Sequence, residues 1–146
     1  LTAKPAFWDS SSIVPLCFRE SATPACFSLY QKFSVVVWWG TFVESHGAFS
    51  RLVRTGHLTA DKEIRSALRR FDDLRASWLE IPPTDRVRDQ AIALLDLYSL
   101  RAADALQLAA ALEWRAGNRS TADFISGDHR VLVAARAEGF VVHSTA

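Results

Sequence analysis

The sequence predicts an α/β fold in which a parallel β-sheet is covered by helices on both faces. Three observations carry that prediction. Strand-like and helix-like patterns alternate along the whole chain. The strand-like runs are continuously apolar, as strands buried on both faces are, and lack the alternation of a half-exposed antiparallel sheet. Finally, 146 residues at 49% hydrophobic content can bury a core without staples. With no internal repeat, low-complexity run or Pro/Gly-rich linker, residues 1–146 are expected to form a single domain.

The elements follow in order. "AFW" before Asp9 reads as the first strand, and "SSSIVPLCF" starts a helix with serines as caps and Pro15 in its first turns. "TPACFSLYQKF" opens on Thr-Pro, a helix-start signal, and "SVVVWW" is a β-branched and aromatic run of buried-strand type, broken by Gly40. "TFVESHGAFSRLVRTG" is a helix ended by Gly56, and Thr41 with Glu44 matches a capping box. An Arg-rich amphipathic helix spans about Thr59 to Ser77, and "WLEI" before Pro82-Pro83 is a short strand. "TDRVRDQAIALLDLYS" and "RAADALQLAAALEWRAG" are two further helices, the second ended by Gly117. "ADFIS" is a strand, Asp128 to Glu138 a helix, and "FVVHS" the last strand.

The 17 basic and 16 acidic residues give a net charge of +1, so the chain as a whole projects no field that selects nucleic acid or membrane. Any polyanion recognition is local. Between Arg51 and Arg70, basic side chains outnumber Asp61 and Glu63, a pattern that fits a solvated helix face as well as an RNA-facing patch. Cys17 and Cys26 lack zinc or disulfide spacing and read as free thiols of a reducing, cytoplasmic compartment. No signal peptide or membrane-spanning run is expected. A start at Leu1 and the absence of Met point to a trimmed N-terminus or a start codon translated literally.

Four carboxylates do not read as ordinary surface charges. Asp9 directly follows the first strand and Asp128 stands two residues after "FIS". In open parallel sheets ligands bind outside the carboxyl ends of the strands, which places both in one crevice, although each also suits a helix N-cap. Glu44 lies in the first turn of a helix that starts just after a strand, with Gly47 and Ala48 leaving its next turn open. Asp104 is explained least by capping. Its neighbours at helical spacing are Leu100, Leu108 and Ala111, and an ionised carboxylate left unpaired on such a stripe costs several kcal/mol. Arg101, one turn earlier, is its alternative partner. One device explains all four together: carboxylates that would repel one another become a site for Mg²⁺ or Mn²⁺, and so for attack of water on a phosphodiester.

"FWDSSSIVPL", "TFVESHGAFSRL", "LRAADALQLAAAL" and "FISGDHRVLVAARAEGFVV" resemble, in order and spacing, the four acidic signatures of PIN-domain ribonucleases, most closely the VapC-type toxins of toxin–antitoxin pairs. The resemblance runs from about Phe7 to Val142. By position it places the acidic quartet on Asp9, Glu44, Asp104 and Asp128, and the small hydroxyl residues that orient a carboxylate or water on Ser11 and Ser126. It implies a three-layer PIN-like domain with a parallel sheet of about five strands, dependence on Mg²⁺ or Mn²⁺, and endonucleolytic hydrolysis of single-stranded RNA. It further implies a homodimer and a cognate antitoxin that lays a segment across the acidic site. Arg101 and Arg130 are candidate RNA contacts. Trp38 and Trp39 depart from the smaller residues expected near the mouth; they are placed to stack on bases or to pack in the core or a dimer.

Other chemistries lack their residues. A phosphatase of the haloacid-dehalogenase type needs a second Asp where Ser11 stands, the scattered glycines match neither GxGxxG nor a P-loop, and there is no GxSxG elbow. The four histidines show no zinc spacing, and His46 and His129 read as surface residues beside acids. The remaining alternative is a catalytically silent PIN-like module that binds RNA or a protein.

Overall fold

The computed structural model describes residues 3–118 and 122–146; Leu1 lies outside them. Five strands, β1 (Lys4–Trp8), β2 (Phe33–Trp38), β3 (Leu79–Ile81), β4 (Asp123–Ser126) and β5 (Val141–Ser144), form one sheet in the order β3-β2-β1-β4-β5. Every pairing is parallel. The helices are α1 (Val14–Cys17), α2 (Thr23–Tyr30), α3 (Thr41–Arg54), α4 (Asp61–Ser77), α5 (Asp85–Leu97), α6 (Ala102–Ala116) and α7 (His129–Ala137). Among the described residues no helix is long and apolar enough to cross a membrane.

Alternate residues of each strand feed opposite cores, which is why the runs are apolar throughout. Phe7, Val36, Trp38 and Phe124 pack with side chains of α5, α6 and α7. Ala6, Trp8, Val35, Val37 and Ile125 pack with α1, α2 and α4. The result is three layers, as the sequence predicts. A smaller cluster of Phe49, Leu58 and Ala67 fastens α3 to α4.

Local departures from the expected elements have local causes. The first helix is interrupted: Ser10–Ser12 form a 3-10 turn, and the α-helix begins afresh at Val14, with Pro15 in its first turn where a missing N–H costs nothing. The chain after Tyr30 leaves α2 early, so Phe33 belongs to β2. Thr41 and Glu44 do not form a capping box. Gly40 is the N-cap, Thr41 is already helical, and the Glu44 carboxylate is drawn away from its own helix by Ser10 and Gln107.

Trp38 is buried in the core, whereas Trp39 stands half-exposed beside it, their rings edge to face. Gly40 is required here by contact and not by an unusual φ, because a Cβ at that position would overlap Nε1 of Trp38. Gly40→Ala therefore forces a buried indole to shift. We expect a loss of about 1–3 kcal/mol, the usual range for overpacking, measured as a lower urea midpoint at unchanged m-value.

Candidate active site

The strand order reverses between β1 and β4, which places a crevice at the carboxyl ends of those two neighbours. Asp9 follows β1 and its backbone N–H donates to the carbonyl of Ile125 in β4 at 2.9 Å, fixing it at that point. The cleft that opens there, of about 690 Å³, is lined by all four carboxylates of the predicted quartet, Asp9, Glu44, Asp104 and Asp128. Each comes from a different part of the chain. Glu44 lies in the first turn of α3, Asp104 in the first turn of α6, and Asp128 is the N-cap of α7. Three helix N-termini thus bring their partial positive charge to one place, which favours carboxylates there.

Asp9 is 3% exposed and is held by hydroxyls. Ser11 donates to its Oδ2 at 2.6 Å and Ser126 to the same oxygen at 2.8 Å. The two serines are fixed in turn, because Gly127 N–H donates to Ser11 Oγ at 2.9 Å and Asp128 N–H to Ser126 Oγ at 3.0 Å. The predicted supporting pair is therefore joined to Asp9, with Ser126 fully buried behind it. Gly127 keeps this loop tight: a Cβ there would stand 3.1 Å from Thr145 Oγ1 and 3.6 Å from Ser11 Oγ.

Asp9 performs no side-chain capping, while Asp128 does, accepting from the backbone N–H of Arg130 at 2.9 Å. Arg130 contributes that amide, and its side chain does not line the cleft. Asp104 is 8% exposed among Ala105, Leu108 and Ala111, all fully buried. Its alternative partner is in place: Arg101 Nε donates to Asp104 Oδ2 at 3.1 Å, and Arg101 Nη2 lies 3.7 Å from Asp128 Oδ2.

Gln107 was not singled out by the sequence reasoning. It is fully buried one turn after Asp104, and its Nε2 donates to Thr41 Oγ1 at 2.9 Å and to Glu44 Oε1 at 3.1 Å. Ser10 Oγ holds the other oxygen of Glu44 at 3.1 Å. The available signal was a lone amide on the apolar stripe that carries Asp104. Ser10 and Glu20, which also line the cleft, gave none.

Burial pushes the Asp9 carboxyl above the ordinary range; the Ser11 and Ser126 hydrogen bonds oppose this, and the charges of Asp104 and Asp128 reinforce it. Glu44 is raised in the same way, by burial first, against Ser10 and Gln107 and with Asp9 and Asp104. Asp9 and Glu44 therefore feel the charge of neighbouring acids in the cleft. An all-oxygen donor set with surplus negative charge fits a hard divalent cation such as Mg²⁺ or Mn²⁺. Among the described residues no three or more acidic, His or Cys side chains are grouped so that they could hold a metal ion as they stand.

No family model and no curated protein sequence matches this chain. Among solved structures, one titled as a toxin–antitoxin complex from Klebsiella pneumoniae is similar over 97% of this chain and 98% of that one, with a TM-score of 0.65 and 15% identity. A crystal structure of a Pyrobaculum aerophilum protein is similar over 95% of this chain and 83% of that one, with a TM-score of 0.61 and 18% identity. At these identities the likeness is one of fold.

Two predictions follow from the electrostatics. An acid raised by folding stays protonated in the native state while the unfolded chain ionises, so its contribution to stability falls as pH rises from about 4, the unfolded value, to the raised one. In the metal-free protein, Asp9→Asn should abolish part of that fall and raise stability at pH 8 relative to wild type; urea titrations at several pH values measure it. Gln107→Glu turns the donor facing Glu44 into a buried like charge. It should lower the melting temperature sharply at pH 7, by several kcal/mol in stability, with much of the loss recovered at pH 4, where both carboxyls are protonated.

Proposed function

We propose that this chain is a Mg²⁺- or Mn²⁺-dependent endoribonuclease, the toxin of a type II toxin–antitoxin pair, and that Asp9, Glu44, Asp104 and Asp128 are its catalytic and metal-holding residues. One observation carries the reading. Four carboxylates from four separate parts of the chain line one cleft at the reversal point of a parallel sheet, and burial first, with the charges of neighbouring acids adding to it, raises Asp9 and Glu44. The similarity in fold to a structure of a toxin–antitoxin complex supports the toxin role and a protein antitoxin as partner. A homodimer is part of the same proposal, carried by the sequence resemblance.

The residues divide the work. Asp9, Asp104 and Asp128 would hold the cation. When bound, a divalent ion supplies charge to the phosphate oxygens and acidifies water. Asp9 offers it a carboxylate whose Oδ2 is fixed by two serines, so its orientation costs no further ordering. Glu44, raised by burial and held at both oxygens, is a stronger base than an exposed carboxylate and is suited to accept a proton from the attacking water. In hydrolysis the water oxygen forms a bond to phosphorus as the bond from phosphorus to the leaving ribose oxygen breaks, and that oxygen takes a proton. Arg51 and Arg101 line the cleft and would meet the RNA backbone in this reading.

A second reading is favoured by one observation. The ion pairs of Arg101 with Asp104 and Asp128 supply a neutralising charge without any metal, as a silent PIN-like module would need. Cleavage of a single-stranded RNA separates the two. Asp104→Asn should fold and lose Mg²⁺-dependent cleavage by at least about 100-fold, the scale seen when one charge-stabilising group is removed from an active site. Wild-type protein that leaves RNA intact across Mg²⁺ and Mn²⁺ titrations would favour the silent module. Sequencing RNA ends after induction in cells, beside an Asp9→Asn control, would identify the substrate.

A further inference from the structure

We infer that Arg101 is the resident cation of the acidic cleft: it neutralises Asp104 and Asp128 in the metal-free protein and has to vacate that position before a divalent ion is held there. The inference rests on the metal reading above and adds a competitor from within the chain.

Arg101 occupies the N-cap position of α6 but does no capping with its side chain. The guanidinium turns instead onto Oδ2 of Asp104, in the first turn of its own helix, and reaches across to Oδ2 of Asp128 at the start of α7. Oδ1 of Asp128 already accepts from the Arg130 amide, so Oδ2 is its less engaged oxygen and the one nearer the guanidinium. The guanidinium thus sits on the carboxylates that an incoming ion would use. Because Arg is charged at all working pH values, the competition is set by position and not by protonation.

The arginine is also free to leave. Its side chain is 69% exposed, against 12% for Asp104 and 25% for Asp128, so it is the solvent-facing partner of both pairs and little packing locks it in place. The acids line one cleft but are divided between Arg101 and their hydroxyl and amide partners.

A structural role for Arg101 predicts the opposite sign from a competing one. If it merely orients Asp104 for a metal, its removal weakens metal binding; if it competes, its removal strengthens binding. The experiment is calorimetric titration of Mn²⁺ into wild-type, Arg101→Gln and Asp104→Asn proteins, with thermal unfolding of each in the presence and absence of Mn²⁺. We expect Arg101→Gln to bind at least about fivefold more tightly than wild type, the lower end of ordinary coupling between sites. It should also gain more thermal stability from the same Mn²⁺ concentration, while Asp104→Asn binds none. Equal or weaker binding by Arg101→Gln, with binding still abolished in Asp104→Asn, would overturn the competing role and leave the metal reading standing. Failure of both wild type and Arg101→Gln to bind, or equal binding by Asp104→Asn and wild type, would overturn both.

Discussion

The arrangement of this protein depends on one electrostatic constraint: four carboxylates are brought to one cleft, and each must be kept from destabilising the others. Deep burial of even one unpaired ion costs several kcal/mol, comparable to much of the stability of a small domain. The fold answers with a different device for each acid. Asp9 is given two hydroxyl donors, Glu44 an amide and a hydroxyl, Asp104 a guanidinium, and Asp128 a helix amide of its own. Three helix N-termini add their dipoles. Even so, burial holds Asp9 and Glu44 above the ordinary range, and the charges of neighbouring acids add to it. A site tuned only for stability would replace at least one acid, so the retained charge is the part of the structure that asks for a ligand.

The backbone makes this convergence possible through residues that do no chemistry. The order of the sheet puts β1 beside β4, so two chain segments separated by more than a hundred residues end side by side. Ala105, Ala109, Ala110 and Ala111 are fully buried on α6, and side chains of that size let the helix approach the sheet closely enough for its first turn to reach the cleft. Gln107, on the same helix, then ties α6 to α3 through Thr41 and Glu44, so the two helices that carry Asp104 and Glu44 are positioned by a shared hydrogen-bond network.

Much of this was legible in the sequence because it is periodic or stands against its surroundings. Continuous apolar runs gave the sheet and its two covered faces, and Asp104 declared itself as a charge on an apolar stripe. What the sequence did not yield is where local signals serve more than one geometry. Thr41 and Glu44 have capping-box spacing, yet both side chains are taken by partners from other elements. Asp9 and Asp128 look alike as helix caps, but only the second caps, because the first is claimed by serines, one of them 117 residues away. Trp38 and Trp39 are adjacent in one apolar run, but only Trp38 belongs to β2, in register with Ile81 and buried, while Trp39 lies in the turn that follows and is half-exposed. Long-range partners such as these leave no mark on spacing.

The distribution of positive charge sharpens the proposed substrate more than its amount does. Arg51 to Arg70 looked like a single basic stretch, but of its charged side chains only Arg51 lines the cleft, with His57 nearby and Arg101 arriving from α6. The cleft therefore has an acidic floor and a few cations on its walls. A free polyanion would be repelled by that floor and only weakly attracted by the walls, whereas a divalent ion at the floor reverses the sign of the deepest part and leaves the basic groups to align the chain that crosses it. On this reading polyanion binding and metal binding are coupled through Arg101, whose guanidinium is drawn both to the carboxylates and to a phosphate.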